Sequence, residues 1–92
     1  MDKQQNDYLK NHKNSSLKIG QKVKLLRKAE NYEKGWGNSW NLFMTKNVGK
    51  IGIITHDDGE YGFVVDFGNT YYYSYPYFVL INLRIVKIKK LL

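Results

Sequence analysis

Two stretches of this chain alternate polar and apolar side chains, which is the pattern of a half-buried β-strand. The first runs from Lys22 to Leu25, and the second, from Gly49 to His56, is also rich in β-branched residues. The second stretch is followed by Asp57–Glu60, whose aspartates and glycine are typical of a turn. We therefore expect both stretches to be strands.

An aromatic hairpin is predicted after this turn. Tyr61–Phe67 has the pattern of a strand and stops at Gly68-Asn69, a pair suited to a two-residue hairpin loop because both residues accept positive φ angles. The aromatic content of Thr70–Tyr75 predicts the returning strand. Pro76 lacks a backbone N–H, so we expect the strand to end there.

The chain after Pro76 predicts a 3₁₀ turn and then a last element for which two alternatives remain open. Tyr77–Leu80 has the character of a single 3₁₀ turn carrying buried residues. The isoleucine and valine content of Ile81–Leu92 favours a closing strand, at least in its first half. The other alternative is a basic amphipathic helix, because apolar residues also recur there at helical spacing: Ile81, Ile85, Ile88 and Leu92.

Two further stretches lack a strand pattern. Residues 28–47 contain glycines, asparagines and two tryptophans, and they are too many for a structureless connection in a small domain. We expect an ordered loop there, with a short helical turn near Trp40–Met44. Residues 1–16 are mainly polar and cannot bury enough apolar surface to offset their ordering entropy, so a flexible arm is expected.

This order of elements predicts an all-β fold, a five-stranded SH3-like barrel. A long ordered loop follows its first strand and a 3₁₀ turn precedes its last, and closure of the barrel removes exposed strand edges. With 92 residues the chain has room for one domain. We divide it into a flexible basic N-terminal arm (1–16), the barrel (17–86) and a basic C-terminal tail (87–92).

The net charge of +7 comes from the two ends of the chain. Residues 1–22 contain five lysines against two aspartates, and residues 81–92 contain four cations and no acid. The middle of the chain, 23–80, balances six cations against six acids. A nucleic-acid-binding small barrel therefore remains an alternative in which the basic ends meet phosphates and tyrosines stack on bases. Its candidate residues are Lys18, Lys22, Arg84, Lys87, Lys89 and Lys90.

The sequence offers little for catalysis or metal binding. It has no cysteine, which excludes disulfides, thiolate metal sites and a cysteine nucleophile. His56 beside Asp57–Glu60 lacks the spacing of a calcium loop, and no catalytic triad or phosphate-binding loop is suggested. We predict a protein that is not an enzyme and needs no cofactor or metal. Its polar N-terminus and the lack of any apolar run near ~20 residues predict a cytoplasmic protein without a membrane span.

The aromatic residues outnumber what so small a core can bury. In a strand, Tyr71, Tyr73 and Tyr75 point to one face and Tyr72 to the other, so at least one face should expose tyrosine. Exposed rings with polar tips are typical of binding sites. We therefore predict a peptide-binding groove between the Trp36–Met44 loop and the tyrosine hairpin. Its candidate residues are Trp36, Trp40, Tyr72, Tyr75 and Tyr77.

Two interpretations of the long loop's aromatic residues remain open. They can plug the end of the barrel, which is the favoured interpretation for Trp40 and Phe43. They can instead line the groove, which is favoured for Trp36 because glycines flank it. In that arrangement Trp36 forms the floor of the groove, and Tyr72 and Tyr75 form its walls.

Residues 20–80 also carry a family resemblance. Its motifs are Val23-Lys24-Leu25, Trp36-Gly37-Asn38-Ser39-Trp40, Met44, Val48-Gly49-Lys50-Ile51-Gly52, Val64–Gly68 and the tyrosine-rich strand that ends at Pro76. The pattern resembles the MIB/HERC2 type of SH3-like barrel, and small bacterial and phage proteins with the same motifs. This chain departs from the MIB/HERC2 type in lacking a stretch rich in glycine and aspartate after the first tryptophan.

The resemblance implies recognition of short peptide segments of partner proteins through Trp36, Trp40 and the hairpin tyrosines. A phage setting would imply an inhibitor or adaptor of a host protein in the host cytoplasm, or a small virion component. Kinship with KOW-type barrels, which share the Val-Gly-Lys-x-Gly motif, would instead imply RNA or protein contact through Val48–Ile54.

Overall fold

The computed structural model describes residues 2–69 and 71–83. Two α-helices lie in this part of the chain, α1 (Lys3–Lys13) and α2 (Leu42–Thr45). The same part of the chain contains five strands, numbered in chain order: β1 (Lys22–Leu25), β2 (Ile51–Asp57), β3 (Phe63–Asp66), β4 (Tyr73–Tyr75) and β5 (Leu80–Asn82). Helix α2 lies between β1 and β2. Three 3₁₀ turns connect them, at Glu33–Gly35, Gly59–Tyr61 and Tyr77–Val79. Neither α-helix of the described residues has the length and apolar character to cross a bilayer.

The strands form one antiparallel sheet in the order β4-β3-β2-β1-β5. The predicted all-β fold is confirmed in part: the described residues are mostly β, but α1 is a helix. The 3₁₀ turn before the last strand and the helical turn near Trp40–Met44 are confirmed. Among the described residues no pairing joins β4 to β5, so these two strands are the edges of the sheet. The predicted closing strand is confirmed only for residues 81 and 82, the end of β5, because Leu83 is already helical. The rest of the predicted element, from Arg84 onward, lies outside the described residues.

The flexible arm predicted for residues 1–16 is wrong over most of its length. A capping box starts α1: Asp2 accepts a hydrogen bond from the Gln5 backbone N–H, and the Gln5 side chain accepts one from the Asp2 N–H. Tyr8 and His12, four residues apart, share the face that packs on the sheet, and both are buried. Two buried side chains therefore supply the apolar contact that the polar composition seemed to lack.

The predicted two-residue hairpin loop is also wrong. The last residue pair between β3 and β4 is Val65 with Tyr73, so residues 66–72 lie between the paired positions. Asp66 accepts a hydrogen bond from the Gly68 N–H, and Asn69 accepts one from the Tyr71 N–H. Because these side chains satisfy the backbone locally, the connection widens and β4 begins at Tyr73 instead of Thr70.

A single core lies between the inner face of the sheet, α1 and the long β1–β2 connection. Its largest fully buried members come from all three: Tyr8, Leu25, Trp36, Met44, Ile54, Phe63 and Tyr75. The opposite, outer face of the sheet stays open, with Ile51 and Ile53 exposed. The core therefore takes one face of the sheet and leaves the other available for contacts.

Candidate functional site

The predicted groove with Trp36 as its floor does not exist, because the Trp36 side chain is only 1% exposed. Its indole N–H donates a hydrogen bond to the Tyr61 carbonyl. Its ring meets the half-buried Trp40 ring edge-on at 6.4 Å, and Trp40 meets the fully buried Tyr75 ring edge-on at 5.7 Å. The interpretation that Trp36 faces solvent is wrong, and Tyr75 cannot be a groove wall.

The other predicted groove residues lie apart from one another. Trp40 borders a small cleft of about 220 Å³, and its indole N–H donates to the Thr45 hydroxyl at 2.8 Å. Tyr77 is half-buried and packs its ring 5.2 Å from that of Tyr8 under α1. Tyr72 is 59% exposed and borders a different cleft on the outer face of the sheet. The structure therefore does not bring the five predicted residues together as one site.

A different set of rings forms an exposed surface, which we call the aromatic stack: Phe43, Tyr71 and Tyr73. The Phe43 and Tyr71 centroids are 4.7 Å apart, and the Tyr73 ring lies 6.4 Å from each of the other two. The three planes are within about 32° of parallel. Phe43 is 43% exposed and Tyr71 50%, so part of the stack faces solvent. The prediction that the hairpin exposes tyrosine is confirmed, whereas core burial of Phe43 is wrong.

Asn47 links the two segments of the chain that carry the aromatic stack. It is buried, and its amide N–H donates to the Tyr75 hydroxyl at 3.0 Å while its carbonyl accepts from the Asn69 amide at 3.0 Å. One side chain thus ties the turn that follows α2, the helix of Phe43, to the β3–β4 connection, which carries Tyr71. Burial raises the pKa of the Tyr75 hydroxyl, although the hydrogen bond from Asn47 acts in the opposite direction. The sequence offered no signal for this role.

The charge beside the aromatic stack is positive. The Lys46 ammonium lies 5.3 Å from the Phe43 ring centroid, a cation–π distance. Leu42, next to Phe43 in sequence, is 80% exposed and borders the cleft beside Trp40. The surface therefore combines near-parallel rings with a cation, and an exposed leucine is adjacent in sequence.

A cluster of buried Tyr8, buried His12 and half-exposed Asp57 attaches α1 to the sheet. His12 Nε2 lies 2.7 Å from the Asp57 carboxylate, and the His12 ring stacks on Phe63 at 4.0 Å. Burial raises the pKa of Asp57, but the hydrogen bonds from the Gly59 N–H and from His12 outweigh it, and the net pKa lies below its usual value. The Tyr8 hydroxyl, 3.4 Å from His12 Nδ1, has a pKa raised by burial.

This cluster resembles a catalytic relay only in its residue types. Tyr8 and His12 are almost completely buried, and the bond from His12 to Asp57 of β2 secures the helix to the sheet. Within residues 2–69 and 71–83, no group of three or more histidine and acidic side chains could hold a metal ion.

The basic residues of the nucleic-acid alternative fall only partly within the described chain. Lys18 and Lys22 are exposed, the second of them on the outer face of β1. In the β1–β5 register Val23 pairs with Asn82, so the chain leaves β5 beside Lys22. The remaining candidates lie outside the described residues: Arg84, Lys87, Lys89 and Lys90.

Comparison of the chain with protein-family models, with curated proteins and with solved structures finds no match. The resemblance to the MIB/HERC2 type therefore stays a prediction, and the functional argument rests on the geometry of the surfaces described above.

Proposed function

We propose that this protein is a non-enzymatic interaction module that binds a protein or peptide segment on the aromatic stack. The observation that carries this proposal is the exposure of near-parallel rings, Phe43 and Tyr71, on a base anchored by buried Asn47. Large rings supply much contact area and lose little rotamer entropy on binding, so they dominate protein interfaces. Their anchoring lowers the cost of ordering the surface when a partner arrives.

The charge beside the stack indicates what the partner segment contains. Lys46 is the charge next to Phe43, and the stack residues themselves include no carboxylate. A partner carboxylate opposite Lys46, with an apolar side chain against Leu42 and the rings, would complement both features. We therefore take the partner segment to be acidic and apolar.

We also propose a fold family and a biological setting for this protein. The strand order β4-β3-β2-β1-β5, the long β1–β2 connection and the 3₁₀ turn before β5 are compatible with an SH3-like barrel of the MIB/HERC2 type. Peptide recognition is what that resemblance implies, though at a surface other than Trp36. A phage-encoded protein that contacts a host protein in the cytoplasm remains part of this proposal.

Selection of peptides from a random displayed library tests the proposal. Segments enriched on the wild-type chain should bind Tyr71→Ala at least ten times more weakly, because that substitution removes a ring from the stack. Tyr32→Ala is the matched control, since Tyr32 is 63% exposed and lies in the β1–β2 connection. Equal binding to wild type and Tyr71→Ala, or equal weakening by Tyr32→Ala, would contradict the assignment.

A second function, nucleic-acid binding through the basic ends, has one observation in its favour. The β1–β5 register pairs Val23 with Asn82, so the last residue of β5, from which the sequence continues to Arg84, lies close to the exposed Lys22. Binding by such contacts releases counterions and weakens steeply with salt.

The test compares the wild-type chain with a variant in which Arg84, Lys87, Lys89 and Lys90 are all changed to glutamine. Single-stranded DNA affinity, measured from low to physiological salt, should fall with salt in the wild type, and the slope should be shallower in the variant. Affinity that does not change with salt would exclude this function. Full-length chains are needed, because removal of residues 1–16 would also remove Tyr8 and His12 from the core.

A further inference from the structure

The outer face of the sheet carries a cleft of about 450 Å³ that the aromatic stack does not use. It is bordered by Thr55 and His56 of β2, by Val64 and Asp66 of β3, and by Tyr72. Tyr72 points away from its neighbours Tyr71 and Tyr73, so its ring stands on this face while theirs form the stack. The cleft has the size and the mainly apolar lining of a site for a side chain or a small ligand.

Asp66 gives this cleft its charge. The carboxylate accepts a hydrogen bond from the Gly68 backbone N–H at 2.8 Å, which fixes its orientation and leaves its second oxygen available to a ligand. No lysine, arginine or histidine of the described residues lies within ion-pair distance of it. Lys22 stands on the same face, but Ile53 of β2 separates the two in the cross-strand register. A carboxylate without an ion-pair partner therefore borders an apolar cleft in a basic protein.

Tyr72 adds a second feature that favours a cation. Its ring is 59% exposed, and the face of a tyrosine ring attracts positive charge because of its quadrupole. The planar guanidinium of arginine can stack on such a ring and direct its N–H groups to a carboxylate at the same time. Lysine carries a compact, strongly hydrated charge and lacks this planar match. His56 also borders the cleft, and its Nδ1 is occupied at 3.1 Å by the Thr55 hydroxyl.

We propose that this cleft binds the arginine side chain of a protein partner, with Asp66 pairing the guanidinium and Tyr72 stacking on it. The inference adds a second contact to the interaction module and is independent of whether the aromatic stack is the main site. It requires the partner to present an arginine side chain to the outer face of the sheet near β4.

The test uses the full chain and two capped tripeptides, acetyl-Gly-Arg-Gly-amide and its citrulline counterpart, which has nearly the same shape and no charge. Amide chemical shifts, followed by NMR during titration, should move at Val64, Asp66 and Tyr72 with the arginine peptide. The citrulline peptide should bind about tenfold more weakly, because it lacks the charge-assisted hydrogen bonds.

Two substitutions locate the contact. Asp66→Asn keeps an oxygen that can accept from Gly68 but removes the charge, and it should weaken arginine-peptide binding about tenfold. Tyr72→Leu keeps an apolar wall but removes the ring, and it should weaken binding by a smaller factor. Tyr32→Ala should leave arginine-peptide binding unchanged, because Tyr32 is exposed and does not border the cleft. The tripeptides report on the cleft and the library peptides on the stack, so failure of the stack proposal and failure of the cleft proposal are distinguishable.

Three results would overturn the inference. The first is equal binding of the arginine and citrulline peptides, and the second is shifts confined to residues outside the cleft. The third is a single-stranded oligonucleotide that moves the cleft amides when the arginine peptide does not, which would assign this face to nucleic acid.

Discussion

Trp36 lies where α1, the β1–β2 connection and the Gly59–Tyr61 turn meet. Its indole N–H pairs with the Tyr61 carbonyl, and its ring contacts Trp40. The flanking glycines allow this burial: the Gly37 N–H bonds the Glu60 carbonyl, and the Gly35 backbone lies against α1. Glycines that seemed to leave the tryptophan exposed instead let neighbouring backbone close around it.

Trp36→Ala should therefore destabilise the protein by about 3–5 kcal/mol, the usual cost of deleting a buried large aromatic side chain. Trp36→Phe keeps most of the volume and leaves the Tyr61 carbonyl without its donor, so its cost should be smaller, about 1–3 kcal/mol. Chemical denaturation measures both. A Trp36→Ala chain as stable as the wild type would mean that the side chain is not part of the core.

The role of Asn47 depends on tertiary contacts, because both of its partners are more than 20 positions away in sequence. Asn47→Ala should cost about 1–3 kcal/mol, since it leaves the buried Tyr75 hydroxyl without its partner. A double-mutant cycle with Tyr75→Phe measures the pairing directly, and the two losses should sum to more than the loss in the double variant. Strict additivity would show that the hydrogen bond contributes nothing to stability.

At the scale of elements, α1 depends on the rest of the fold. A helix of 11 residues is marginal in water, so its stability comes from the contacts of Tyr8 and His12 with the sheet. Its first turn lies so close to the Glu33–Gly35 turn that a Cβ atom on Gly35 would come 2.1 Å from the Gln4 carbonyl oxygen. The connection between α1 and the β1–β2 loop thus requires glycine at this position.

Gly35→Ala and Gly20→Ala form a matched pair that isolates this contact. Both glycines have positive φ angles, +85° and +93°, but an added Cβ at Gly20 meets no atom within 4 Å. Both substitutions carry the backbone strain, and only Gly35→Ala should also displace α1, so it should lower the melting temperature further. Hydrogen exchange of the α1 amides should accelerate in Gly35→Ala alone. Equal effects of the two substitutions would contradict the close approach.

At the scale of the whole molecule, ionisable groups whose pKa values change on folding make the stability depend on pH. Asp57 has a folded pKa below its usual value, so the stability it contributes is present above the usual aspartate pKa of about 3.9 and is lost as the pH falls through the folded pKa. Tyr8 and Tyr75 have raised pKa values. Their contribution is fully present below the usual tyrosine pKa of about 10, and it is lost as the pH rises above that value toward the folded pKa.

We therefore expect the free energy of unfolding to fall below about pH 4 and again above about pH 10. Tyr8→Phe should flatten the alkaline loss, because phenylalanine has no hydroxyl to ionise when the chain unfolds. Tyr32→Phe is the control, since Tyr32 is exposed. Denaturant unfolding at a series of pH values measures the effect, and an alkaline limb that Tyr8→Phe leaves unchanged would contradict it.

Local sequence was enough to predict the five strands, though not the ends of β3 and β4, together with the 3₁₀ turn before β5 and the short helical turn in the long connection. These elements depend on alternation, on β-branched residues and on turn residues, all of which act between near neighbours. The same local pattern showed that the hairpin exposes tyrosine. The local sequence also contained the Asp2–Gln5 capping box that starts α1, although the polar composition of residues 1–16 gave no indication of a helix.

Only the tertiary structure decided which aromatic rings are buried and which remain available. Trp36 and Tyr71 are both large rings near glycine and asparagine residues, but distant segments of the chain bury only Trp36. The Gly59–Tyr61 turn bonds the Trp36 indole, and α1 packs against the neighbouring Gly35. Near Tyr71, the Asn47 side chain bonds only Asn69 and Tyr75 and leaves the Tyr71 ring uncovered. Sequence determined the elements because their signals are local. Burial, and with it the candidate site, depends on packing between residues far apart in the chain, which periodicity does not encode.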